Sequence, residues 1–358
     1  ASAYYGPRFD YNPATLASRG LLIEEQRVNL LLYSAELDNA AWTKAGSTIT
    51  ANATTSPDGT TNADKLVENT VATTQHRVQQ AATTVSGTSY TYTIYLKAGE
   101  RTVVTMRAIG TATFADCTVN LTAGTISVIT GAATITNAGN GWYRVSVTGT
   151  ADSTTTTCYA NLSDGTSITY TGDGVSGAFV WGAQLEAGAF ATSYIPTVAS
   201  TVTRAADSAT ITGANFSSWY NASEGTIVVS GDSSRGGVAG TTRNFLFVDS
   251  TANNIIRSNG TSTLQVVDGG VTQATIAATP SIPFDGTVYK FASAYRLNDF
   301  ATVTTGAVVT DTSGTVPTGI NQLVLGGGSS TTILNGHIRN VTYYPTRLTD
   351  AQLQALTV

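Results

Sequence analysis

The sequence predicts an all-β protein built of two tandem antiparallel β-sandwiches of jelly-roll type, with an extended N-terminal arm and a short C-terminal helix. Three observations predict it. Apolar and polar residues alternate with period two in many short segments from Arg27 onward, the pattern of strands with one face buried. Asp-Gly and Gly-rich turns punctuate those segments. The alternation breaks near Pro196 and resumes near Thr210, and 358 residues suit two domains of roughly 150 to 200 residues.

Residues 1–26 carry Gly6, Pro7, Pro13 and Gly20 among aromatic residues and lack sustained periodicity, so they read as an extended arm used for attachment. Tyr4, Tyr5, Phe9 and Tyr11 would be unfavourable in water, which predicts that the arm packs on a neighbour. Residues 27–197 form the first sandwich. Its clearest strands are Tyr90–Leu96, Thr102–Ala108 and Tyr143–Val147, and its turns fall at Asp58-Gly59, Asp164-Gly165 and Gly172-Asp173-Gly174. Asp64–Asn69 offers at most one helical turn. Residues 198–204 read as a linker, and residues 205–358 as the second sandwich.

In that second sandwich, strands are expected at 210–212, 225–230, 245–248, 263–267, 288–295, 307–310, 323–325 and 336–344. Thr349 is placed to cap a helix over 350–356, with Asp350 favourable in its first turn, and that helix is expected to cover an edge or end of the sheet. No repeat of 20 to 50 residues appears, which argues against a solenoid or propeller.

Composition narrows the function. Charged residues make up 11% and hydrophobic residues 41%, with a net charge of -5 and a mean hydropathy of +0.04, so the chain has the means to fold. No Lys/Arg cluster supplies the footprint that a phosphate backbone requires, and nucleic acid is not an expected partner. The longest apolar run, around Leu30–Leu32, falls far short of the roughly 20 residues of a membrane span, so membrane insertion is not expected either.

Catalytic chemistry is poorly supplied. His76 and His337 are the only histidines, and a nucleophilic triad or a zinc site needs more around them. His337 reads as a packed or surface imidazole, and His76, between Gln75 and Arg77, as part of a solvated strand face. Carboxylates such as Asp38, Asp58, Asp64, Glu68, Asp152, Asp164, Asp173 and Glu186 are scattered and mostly at turns, so no pair stands out for glycoside hydrolysis. The chain is expected not to be an enzyme.

Three strings carry a resemblance. GPRFDYNPATLASRGLLIEEQRVNLLLYS at Gly6–Ser34 and WGAQLEAGAFATSYIPTVASTVTRAAD at Trp181–Asp207 resemble the segments that flank a carbohydrate-binding-module-like β-sandwich in tailed-bacteriophage fibre and virion proteins. GHIRNVTYYPTRLTDAQLQALT at Gly336–Thr357 resembles the closing strand and short helix of a laminin-G or concanavalin-A-like domain, a shorter and less specific pattern. The resemblance implies a non-enzymatic virion appendage protein, of a tail fibre, spike or head fibre, assembled in the host cytoplasm. Its implied partners are other virion proteins, further copies of itself (a trimer in the fibres it resembles) and host-surface polysaccharide. A purely structural decoration or adaptor protein is the alternative.

The resemblance also orders the candidate residues. Trp42, Trp142 and Trp181 take framework positions, while Trp219 and Tyr220 stand open between packing, which is favoured, and a sugar-facing edge. Glycan hydroxyls would be held by loops at one rim of the second sandwich, through Asp232, Arg235, Arg243, Asp249, Asn253, Asn254 and Asp268. Asp232, Asp249 or Asp268 is an option for structural calcium, as are Asn29 and Glu186 in the first sandwich; no other cofactor is expected. Cys117 and Cys158, the only cysteines, are expected to be separate core residues, because such virions assemble in a reducing cytosol.

Overall fold

In a computed structural model the chain is described over residues 6–13, 15–233, 244–259, 262–283, 286–327 and 333–358. It divides into two compact units, Pro13–Thr15 with Arg27–Arg204, and Ala1–Asn12 with Leu16–Gln26 and Ala205–Val358. Each unit is an antiparallel sandwich.

The first sandwich sets one six-stranded sheet against another. One runs, in spatial order, Thr125–Thr130, Thr113–Asn120, Val103–Ile109, Thr155–Ser163, Arg77–Thr83 and Thr43–Ala45; the other runs Ala132–Gly139, Trp142–Thr150, Ser89–Lys97, Gly177–Ala187, Ala63–Glu68 and Ser47–Thr54. Alternation explains the core. Along Ser89–Lys97 the even residues Tyr90, Tyr92, Ile94 and Leu96 point inward to meet Val104, Met106, Val145, Val147 and Leu185, as a two-residue repeat dictates. The three Asp turns form as expected: Asp58 Oδ1 accepts from Thr60 N, Asp164 Oδ1 from Thr166 N and Ser167 N, and Asp173 Oδ1 from Val175 N and Ser176 N. The linker is shorter than expected, because Val202–Arg204 pairs with Arg27–Asn29 and belongs to this unit.

Asp64 stands in a segment to which the sequence allows at most one helical turn. It lies in the strand Ala63–Glu68, not a helical turn, and its buried carboxylate accepts from the backbone N–H groups of Leu37, Asp38 and Asn52 at 2.8, 3.2 and 3.0 Å. A polar residue spent on neighbouring backbone looks like a break in the alternation.

The second sandwich has a seven-stranded sheet ordered Phe9–Tyr11, Ser18–Ile23, Gly336–Tyr344, Glu224–Ser233, Tyr289–Arg296, Phe300–Val303 and Val309–Asp311. Facing it is a sheet of Ala209–Thr212, Gln322–Leu325, Phe245–Val248, Ile255–Asn259, Thr263–Asp268 and Val271–Ala277. Ile227, Val229, Phe245, Phe247, Phe291, Tyr295 and Ile338 fill the space between them.

The N-terminal segment departs most from expectation. It supplies two strands of this sheet instead of a separate attachment arm: Leu21, Leu22 and Ile23 pair with Ile338, His337 and Gly336, and Ile23, 1% exposed, enters the core. Gly20 makes the approach feasible. Its φ is +100°, and a β-carbon there would collide with the Ile338 carbonyl oxygen, so only glycine fits. The closing helix spans Asp350–Thr357, with Thr349 and Gln352 forming a capping box. Its Leu353 packs with Val228, Ala292, Ala294, Ala301 and Val303, so the helix covers the outer face of the seven-stranded sheet and not its edge. Among the described residues no helix is long and apolar enough to cross a membrane.

Candidate functional site

Four of the residues singled out for hydroxyl binding meet at one rim of the second sandwich, on the turns that follow Phe245–Val248 and Thr263–Asp268. Asp249 organises the first turn. Its carboxylate accepts from Thr251 N, Thr251 Oγ1, Asn253 N and Asn254 Nδ2 at 3.2, 2.9, 3.2 and 2.8 Å. Slight desolvation would raise its pKa, but the bonds from Thr251 and Asn254 outweigh it and hold the carboxyl below its ordinary value. Asn254 Oδ1 then accepts from Gly269 N at 2.9 Å, and Asn253 O from Gly270 N at 2.8 Å, which ties the two turns together. Asp268 Oδ2 accepts from Thr315 Oγ1 at 2.5 Å. Asn253 is exposed, and its amide is left to face solvent. The result is a stiff polar rim with carbonyls, hydroxyls and one open amide.

Other candidates stand elsewhere. Trp219 and Tyr220 are core-packing residues: Trp219 lies edge-on to Tyr343 at 4.9 Å, and Tyr220 stacks on Phe216 at 4.6 Å and meets Phe247 at 5.3 Å. The short helix Ala214–Ser217 folds Phe216 inward and carries the pair with it. Asp232 is fully buried and is no rim residue. Arg235, Arg243, Tyr4 and Tyr5 lie outside the described residues. Phe9 and Tyr11 are 62% and 53% exposed on the outermost strand of the seven-stranded sheet.

Asp232 belongs to a charged cluster that no local pattern in the chain marks. His337, 3% exposed, donates Nδ1–H to Asp232 Oδ1 at 2.7 Å and Nε2–H to Asp10 Oδ2 at 2.8 Å. Arg339 reaches Asp232 at 3.2 Å, and Arg19 stands 3.7 Å from Asp10 and 3.8 Å from Asp232. Beside it, Arg8 bonds both Glu24 and Asp207, and an open cleft is lined by Pro7, Arg8, Phe9, Asp10 and Leu22.

Both histidines are therefore spoken for by groups other than a nucleophile. His76 is buried, contrary to the expected solvated face, with its ring nitrogens against the carbonyls of Gly46 and Tyr170. The carboxylates considered for calcium face hydrogen donors: Asp232, Asp249 and Asp268 as above, and Glu186 the N–H and hydroxyl of Thr192 and the amide of Gln184. Asn29 donates to the carbonyls of Ala183 and Ile195 and accepts from Leu31 N and Leu185 N. Among the described residues no group of three His, Cys, Asp or Glu is placed to hold a metal.

No family profile matches the chain, and no curated protein does. Among solved structures it is similar to domains LG4-5 of the mouse laminin alpha1 chain, at 10% identity over 79% of this chain and 89% of that one with a TM-score of 0.28. The LG1-3 region of the laminin alpha2 chain gives the same identity and TM-score over 79% of this chain and 67% of that one. The N-terminal CBM22-1-CBM22-2 tandem domain of Paenibacillus barcinonensis Xyn10C gives 11% identity over 97% and 100%, again with a TM-score of 0.28. At that score the likenesses carry no weight for the site, and the sandwich assignment stands on the sheets' own pairing.

Proposed function

We propose that the chain is a non-enzymatic adhesion protein of a bacteriophage virion, part of a tail fibre, spike or head fibre, whose second sandwich meets a host-surface glycan at the rim formed by residues 249–254 and 268–270. The observation that carries the binding half of this reading is the convergence of Asp249, Asn253, Asn254 and Asp268 on one rim. A pre-formed rim loses little entropy on binding. The virion half rests on the resemblance of the strings at 6–34 and 181–207 to phage fibre segments. Single-site affinity at such a shallow surface is weak, and several copies on one particle raise avidity by about 10² to 10⁴.

The test is binding of clustered protein to host polysaccharide by biolayer interferometry. Asn253→Ala, which removes an exposed amide and no internal bond, is expected to weaken binding by about three- to tenfold, the worth of one hydrogen bond. Unchanged binding would remove the rim from the account. The purely structural reading is favoured by one observation, that the rings of Trp219 and Tyr220 are partly buried and packed against the core instead of standing free for a sugar's apolar side. It predicts attachment to virion proteins and no glycan binding at all.

A further inference from the structure

Outside the core between its sheets, the first sandwich carries a smaller cluster in which Ala63, Trp142 and Trp181 are buried and Tyr95, Phe179 and Tyr194 pack against them half-buried. On three adjacent strands Arg144 stands opposite Tyr95, and Tyr95 opposite Trp181; two residues along, Trp142 stands opposite Lys97, and Lys97 opposite Phe179. Residues two apart on a strand share a face, so these rows form one patch. The intervening Val145, Ile94, Leu96 and Val180 point into the core, which places the patch on the outer face of the sheet. Tyr95 meets Trp181 at 5.2 Å, and Trp181 meets Tyr194 at 4.8 Å. The Arg144 guanidinium lies 5.5 Å from the centre of the Tyr95 ring. Tyr95, Lys97, Arg144 and Phe179 are all only half-buried.

Two features of this patch point to an acidic ligand. Arg8, Arg101, Arg107 and Arg347 all face carboxylates, whereas Arg144 and Lys97 have none among the described residues. Arg144 makes one long bond, from Nη2 to Thr93 Oγ1 at 3.4 Å. In addition, two covered donors of the patch, Arg144 Nε and the indole N–H of Trp181, have no acceptor. An orphaned buried donor is unfavourable, and two in one patch beside two cations without an ion-pair partner leave the face short of acceptors, with Asp58 near enough to Tyr194 to act on it but not bonded to either cation.

We propose that this outer face binds an acidic saccharide, with the apolar side of a pyranose against the aromatic surface of Tyr95 and Phe179 and its carboxylate held by Arg144 and Lys97. Aromatic surface suits the C–H face of a sugar, and charge-assisted bonds to a carboxylate are the strong ones. A neutral sugar would leave both cations unmatched. A nucleic acid would need a longer run of cations than two. The site uses no residue of the second sandwich, so it stands or falls independently of the rim.

The experiment titrates the full chain with galacturonate, mannuronate and guluronate trimers by calorimetry, and follows the Trp181 indole N–H by NMR. At least one trimer is expected to bind and shift that resonance, its methyl ester to bind about tenfold more weakly or worse, and Arg144→Gln and Lys97→Gln each to weaken binding by about tenfold. Lys97→Gln guards against misfolding, since it changes a half-exposed side chain with no internal partner. No binding of any acidic trimer at millimolar concentration would overturn the proposal. So would equal binding of the methyl ester, or unaltered affinity in Lys97→Gln.

Discussion

His337 Nε2 lies 2.8 Å from Asp10 Oδ2, across 327 positions of the chain. Because its Nδ1 faces Asp232 in the same way, both ring nitrogens donate and the imidazole carries its proton. The contact fastens the N-terminal hairpin to the strand Gly336–Tyr344 by charge as well as by backbone pairing.

This arrangement makes the docking of that hairpin depend on pH. Burial opposes the imidazolium, but the bonds to Asp10 and Asp232 outweigh it and raise the His337 pKa above its ordinary 6.5. Burial likewise disfavours the two carboxylates, and their bonds to His337 still leave both below their ordinary 3.8. The histidine's contribution is complete below 6.5 and is lost as pH rises through its raised value; the carboxylates' contribution is present above 3.8 and is lost as pH falls through their lowered ones. Docking is therefore strongest between about pH 4 and 6.5. Amide-exchange protection of residues 21–23, corrected for intrinsic rates, should fall from pH 6 to 9, modestly because Asp10 is 37% exposed. Flat protection over that range would count against a protonated His337.

The hairpin is also a structural part of the second sandwich. Ile23→Ala should destabilise that unit by about 2–4 kcal/mol in denaturant melts, because Ile23 fills the core, while the first sandwich melts as before. A fragment of residues 27–204 should fold alone. Residues 205–358 should need the peptide 6–26, added in trans, to give a cooperative transition. If 205–358 folds equally well without the peptide, the hairpin is only an attached arm.

Much of this was legible in the sequence where the determinants are local. Trp42 and Trp142, each 1% exposed, are framework residues as read, with their indole N–H groups on the carbonyls of Tyr33 and Thr55. The Thr349 cap and the strand Phe245–Val248 need only neighbouring residues to be recognised. What stayed hidden depends on which segments become neighbours. Period two shows that Tyr95 and Lys97 share a face, but nothing in it brings Arg144 and Trp181 alongside. Asp232 looked like a loop residue because its partners, His337 and Asp10, are remote in sequence. For Trp219 and Tyr220 packing was favoured but an edge stayed open, because the rings they pack on, Phe247 and Tyr343, come from distant strands.

The cysteines should be inert. Cys117 pairs across to Met106, and Cys158 to Ala108, on opposite sides of the strand Val103–Ile109, so a whole strand separates them and no bridge closes without moving the backbone. Burial pushes the Cys117 thiol up to about 12 and that of Cys158 higher still. Native protein should show no reaction with Ellman's reagent at pH 8 and two thiols after denaturation. Rapid labelling of the native form would contradict this packing.

The most direct test of the adhesion account is to array host-surface polysaccharides and whole host cells and to compare a streptavidin-clustered form of the chain with the same chain as single copies. The account predicts binding that is clear for the clustered form, faint for the single copy, and weakened in the clustered form by Asn253→Ala. Clustered protein that binds neither cells nor any arrayed glycan, while still attaching to virion components, would contradict it and leave the structural reading in its place.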